Sequence, residues 1–230
     1  MMRPLICLFL WSASAVGFAE ELWPVILGRM PLSPNVSQLT RTNCAPVILG
    51  AFSSNATVKA LIFLPGATDE LYFFKRVRAT LTNANPSLLD AVVALTNQTP
   101  LRVTFQPPFL LLYTDEDVLA PNNTTQHEAT GQKLKQARPV PHLSFLDRDW
   151  DQMLQVIRKP VPATLQPYRR SSDSWHFYRH TFAGWNLTPW EILEATALAG
   201  KSQFTVRRGK VVFEVDPRVG ALPKLEQFPR

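Results

Sequence analysis

The chain reads as an α+β protein made of two small strand-helix-strand-strand units with an additional helix between them. Three observations predict this. Short β-rich apolar runs alternate with stretches whose apolar residues recur every three to four positions. A shift of 103 positions superposes two proline-marked helices, Asn85-Pro86 on Thr188-Pro189 and Ala94-Leu95 on Ala197-Leu198, each followed by a strand, a turn and a strand. Twenty prolines against nine glycines fall between the periodic segments and punctuate them.

The first unit is expected over residues 20–114. Its strands are predicted at 47–52, 57–64 and 70–81, the last after the Pro65-Gly66 turn. Its helix opens at Asn85-Pro86, with proline at the favoured first helical position. Leu88, Ala91, Val92 and Leu95 share one face, and Asn97 stops it in a left-handed conformation. Strands at 101–105 and 109–113 flank the turn Gln106-Pro107-Pro108. Residues 115–143 hold almost no apolar residue after Leu119 and are expected as a polar linker.

A connecting helix is predicted over 144–159, where Leu146, Trp150, Met153, Leu154 and Ile157 form one stripe. Asp147, Asp149 and Asp151 lie early and Arg158 and Lys159 late, complementing the helix dipole, and Pro160 ends it. Residues 160–174 form a Pro-rich linker. The second unit spans 175–216: a strand at 175–182, a helix opened by the capping box Thr188-Pro189-Trp190-Glu191, a stop at Gly200, and strands at 203–207 and 210–215 around Arg208-Gly209. Residues 217–230 are a tail.

Residues 1–19 have the layout of a secretory signal peptide: Met1-Met2-Arg3, an apolar run from Leu5 to Trp11, and a small-residue end at Ala19. The expectation is export to the periplasm or the extracellular space, with cleavage after Ala19 or retention of the segment as an anchor. Of two cysteines, Cys7 leaves with the signal and Cys44 stands alone, a buried small hydrophobe rather than a reactive thiol. The formal charge is +6, or +5 without Arg3, which favours anionic glycan or lipid surfaces, while export argues against nucleic acid.

No candidate chemistry assembles from the sequence. His176 and His180 have helical metal-ligand spacing but no third ligand nearby. Ser53 and Ser54 lack the nucleophile-elbow glycines, and His127 and His142 lie in or at the end of the polar linker. Asp115, Glu116 and Asp117, with Asn122 and Asn123, lack the calcium-loop spacing. Catalytic, metal and cofactor residues are therefore expected to be none. Lys75, Arg76 and Arg78, and likewise Arg207, Arg208 and Lys210, are read as guards of strand edges, or as an anion surface if they converge. Trp175, Trp185 and Trp190 are the candidates for a sugar-stacking platform. Six of nine asparagines stand in glycosylation sequons: Asn35, Asn55, Asn97, Asn122, Asn123 and Asn186.

The run from His180 through Thr188-Pro189-Trp190-Glu191, Ala197-Leu198-Ala199-Gly200 and Phe204-Thr205-Val206 to Val211-Val212-Phe213 resembles the secretin and TonB short N-terminal domain. The likeness covers 175–215, with an echo at 70–113. It implies a periplasmic docking module that contacts other envelope proteins, and no catalysis. The expected function is thus an exported, non-enzymatic envelope protein acting as an interaction or scaffold module. The alternatives are a secreted glycoprotein or carbohydrate-binding module and, behind these, a hydrolase with an unfamiliar site.

Overall fold

The computed structural model describes residues 23–33, 35–40, 42–52, 58–63, 77–113, 124–125, 128–166 and 180–215. The fold is α+β. Its centre is a five-stranded mixed sheet containing β2 (Ala60–Phe63), β4 (Arg102–Gln106), β5 (Phe109–Tyr113), β7 (Val140–Arg148) and β9 (His180–Leu187), in the order β4-β5-β2-β9-β7. β2 runs parallel to β5 and antiparallel to β9.

Both faces of this sheet are covered, which explains why its inner strands β2 and β5 are continuously apolar instead of alternating. Ala60, Ile62, Phe109, Leu111, Leu143, Phe145 and Phe182 point into one core. Leu61, Leu110, Leu112 and Ala183 point into the other. The second core is closed by a helical segment over 23–28, α1 (Cys44–Phe52), α2 (Leu88–Gln98) and the small sheet of β1 (Gln38–Thr40) and β3 (Arg78–Thr80). The first core is closed by α3 (Glu128–Gln136), α4 (Trp150–Arg158), α5 (Pro189–Ala199) and a four-stranded sheet. That sheet has the order β6-β10-β11-β8, from β6 (Thr124–Thr125), β8 (Thr164–Gln166), β10 (Ser202–Arg207) and β11 (Lys210–Val215).

The two expected units share one sheet. β2 belongs to the first half and β9 to the second, yet Ala60 pairs with Gly184 and Phe63 with Thr181. The polar stretch 115–143 is not simply a linker, because it contains α3, seated by buried Leu134, and the start of β7. The connecting helix begins at Trp150, not at 144. Leu146 lies in β7, and Asp149 caps the helix by accepting from the Gln152 N–H at 2.8 Å. The rest of the stripe holds: Trp150, Met153, Leu154 and Ile157 are buried. The Pro-rich stretch 160–174 contributes β8, which pairs with β11.

Residues 47–52, expected as a strand, are helical in α1. A short run apolar on every side carries no period to separate the two states. Pro46 falls in the first turn, where its missing N–H costs nothing, and the Val47 N–H reaches back to the Asn43 carbonyl at 2.8 Å. Caps also move. α2 is capped by Ser87, whose hydroxyl accepts from the Asp90 N–H while the Asp90 carboxylate accepts from the Ser87 N–H at 2.6 Å. Pro86 therefore precedes the cap. The helix ends at Gln98 with Thr99 extended, so Asn97 is not a left-handed stop. Thr188 and Glu191 form the expected capping box on α5. Cap to cap, Ser87 and Thr188 are 101 residues apart, and the two hairpins that follow lie in different sheets.

Candidate functional site

His180 opens β9 and is 1 % exposed, in the interior and away from solvent. Its Nδ1 lies 2.8 Å from the Ala199 carbonyl oxygen, which fixes Nδ1 as the protonated nitrogen of a neutral ring. Burial drives its pKa down to about 4, and this outweighs the Ala199 carbonyl and the Asp149 charge, which push it up. The ring meets Trp150 edge-on with centroids 5.9 Å apart. His180 Nε2 and Trp150 Nε1 are both buried and have no hydrogen-bond partner among the described residues. Trp150 leans on Gly200, where an added Cβ would stand 2.4 Å from the indole. Gly200 has φ −95° and Lys201 takes the left-handed conformation at φ 44°, so the helix stop lies one residue later than expected and Gly200 is there for space.

A polar seam runs along α5. The Lys59 ammonium meets the Glu191 carboxylate at 2.6 Å, joining residues 132 positions apart. One turn on, the Trp190 indole N–H donates to Glu194 at 2.7 Å, and the Lys135 ammonium of α3 lies 4.7 Å from the Trp190 ring centroid. Burial raises the Glu194 carboxyl above its usual pKa, opposed by the indole hydrogen bond and Lys135 and reinforced by Glu191. Sequence reasoning took Glu191 only as a cap and missed this seam. The i to i+4 spacing of Trp190 and Glu194 was the one local signal.

His176, Ser53, Ser54, His127, Asp115, Glu116, Asp117, Asn122, Asn123, Asn55, Lys75, Arg76 and Trp175 lie outside the described residues. Among the described residues no three His, Cys, Asp or Glu side chains group as a metal site. His142 is exposed on β7 and its ring meets Trp185 at a 50° tilt with centroids 4.6 Å apart, while the Trp185 indole N–H donates to the Leu49 carbonyl. Trp190 packs against Phe204 in the core. Trp185 and Trp190 therefore do not form an open sugar platform together. Cys44 is buried, and desolvation pushes its thiol up to about 12, outside the reactive range. Asn35, Asn97 and Asn186 are exposed.

What the five-stranded sheet does offer is an edge. β7 is nine residues long and pairs with β9 on one side, and no described strand pairs with its other side. His142 and Ser144 are exposed between buried Leu143 and Phe145. Pro141 and a bulge between Phe145 and Arg148 bracket the regular segment, devices that limit indiscriminate pairing. No protein-family model, curated protein or solved structure matches this chain.

Proposed function

We propose that the protein is an exported, non-enzymatic envelope component that works as an interaction or scaffold module and docks a partner protein along a sheet edge. The observation that carries this reading is the β7 edge, whose segment 142–145 is regular, has no strand on its outer side among the described residues, and is bracketed by Pro141 and a bulge. An extended partner segment adds there by backbone hydrogen bonds, with side-chain contacts at alternate positions giving selectivity. The signal-like segment 1–19 and the order β9-α5-β10-β11, which is the order the resemblance to the short N-terminal domain calls for, support the same reading.

The test is photocrosslinking in cells with a reactive residue at Ser144, compared with one at exposed Val93 on α2, followed by mass spectrometry of the envelope fraction. A discrete, saturable adduct from position 144 and none from 93 supports edge docking. Equal or absent adducts at both positions overturn it.

A second reading, a secreted glycoprotein, is favoured by one observation: the sequon asparagines within the described residues, Asn35, Asn97 and Asn186, are all exposed. A mobility shift on treatment with an amide-cleaving glycosidase supports that reading, and an unchanged mass removes it.

A further inference from the structure

We propose that the turn end of the β10–β11 hairpin, with the end of α4 beside it, is a contact surface for anionic phospholipid membranes. The hairpin carries Arg207, Arg208 and Lys210 around its two-residue turn, and all three are exposed. The sequence alone suggested that these cations guard a strand edge. The sheet order weakens that purpose: β10 and β11 are its central strands, with Lys210 paired to Thr164 of β8 and β6 paired up to Val206, beside Arg207.

The cations are also locally unfavourable. Arg207 stands directly opposite Lys210 in the ladder, a like-charge pair that weakens a hairpin. Arg208 sits at φ 47°, a conformation better served by asparagine or glycine. Neither charge is therefore explained by the stability of the turn.

More charge converges on the same end. Lys210 pairs with Thr164, and the Thr164 N–H donates to the Gly209 carbonyl at 3.2 Å. Arg158 and Lys159, both exposed, precede Thr164 by six and five residues, and Lys159 lies at most about 17 Å from it along the chain. The true separation is shorter, because the Val161 N–H turns back to Ile157 and the Ala163 N–H to Val161. Arg158 and Lys159 also serve the carbonyl end of α4, but the hairpin cations have no such duty. The acidic residues of these elements lie away from the turn: Asp149 and Asp151 at the opposite end of α4, and Glu214 four residues along β11.

Three exposed cations at one turn, with two more five and six residues before the Thr164 that adjoins it, suit a surface of closely spaced negative headgroups. The choice of phospholipid as the anion rests on the exported reading proposed above, which brings the chain to a membrane surface. The proposal stands apart from edge docking, since it uses a different sheet and a different partner.

Co-sedimentation of the full chain with vesicles of 30 % phosphatidylglycerol in phosphatidylcholine, against phosphatidylcholine alone, tests it. The apolar leader contributes to both vesicle types, so the ratio reads charge. The expected result is a preference for the anionic vesicles that falls roughly 100-fold in Arg207→Gln/Arg208→Asn/Lys210→Gln, at about fivefold per cation. The control Arg29→Gln/Lys133→Gln/Arg138→Gln, with the same net charge, retains the preference. Thermal melts of both variants establish that they fold. No anionic preference in the parent chain, or equal loss in both variants, overturns the proposal. Binding to dextran sulfate without binding to anionic vesicles also overturns it and assigns the surface to acidic polysaccharide.

Discussion

His180 carries the sharpest single-residue consequence. Its pKa is about 4 in the folded chain against 6.5 as an ordinary histidine, so below 6.5 the unfolded chain takes up a proton that the fold refuses. The stability it contributes is full above pH 6.5 and is lost as pH falls toward 4, a swing of about 3 kcal/mol. Glu194 acts in the opposite sense, since a carboxyl whose pKa is raised costs stability as pH rises through it. Urea unfolding at pH 7.5 and 4.5 in the parent and in His180→Leu separates the two. The parent should lose more stability on acidification than the variant, and parallel losses would remove His180 as the cause. Gly184 is a second decisive residue. A Cβ there would come within 2.7 Å of the Lys59 carbonyl oxygen and 2.8 Å of the Ala60 Cβ, where β2 and β9 meet. Gly184→Ala should destabilise by about 1–3 kcal/mol in a thermal or denaturant melt, because backbone cannot yield as a flexible side chain does.

Helix ends set the element scale. α5 starts with reciprocal bonds between Thr188 and Glu191, and Glu191 also meets Lys59. Thr188→Ala should cost about 1 kcal/mol, read as a lower midpoint in urea with an unchanged slope. Glu191→Gln keeps much of the cap but removes the ion pair, so the two variants apportion the junction. The C-terminal end of α2 is tied differently: the Gln98 side chain accepts from the Thr80 N–H at 2.8 Å and donates to the Thr80 carbonyl at 2.9 Å, binding the helix end to β3. Such ties are long-range and leave no local mark in the sequence. By contrast, β5 and β11 match their expected limits because β-rich runs bounded by turn residues fix them locally.

At the scale of the whole molecule, the shared sheet decides how the chain unfolds. β2 from the first half lies between β5 and β9, so neither half holds a complete central sheet. The expected outcome for the full chain is one cooperative unfolding transition, with fluorescence and circular dichroism midpoints coinciding. A fragment of residues 20–114 should fail to give a cooperative melt alone, since Leu61, Leu110 and Leu112 would keep one core while Ile62 and Leu111 lost the other. Two resolved transitions, or a cooperatively folding fragment, would contradict this. The β7 edge, unpaired on its outer side among the described residues, also belongs to this scale, because it exists only through the order of strands in its sheet.

The sequence by itself determined the α+β class, the buried faces of α2 and α4, the capping box of α5 and the hairpin of β10 and β11. Each rests on contacts within a few residues, where periodicity and capping chemistry act. Tertiary structure alone decided that 44–52 is helix, that polar 128–136 is held as α3, that the halves share a sheet, and that the Trp190 ring meets Lys135. Those outcomes depend on burial against distant segments, and the free energy of such burial is set by what arrives opposite a residue, which no local pattern records.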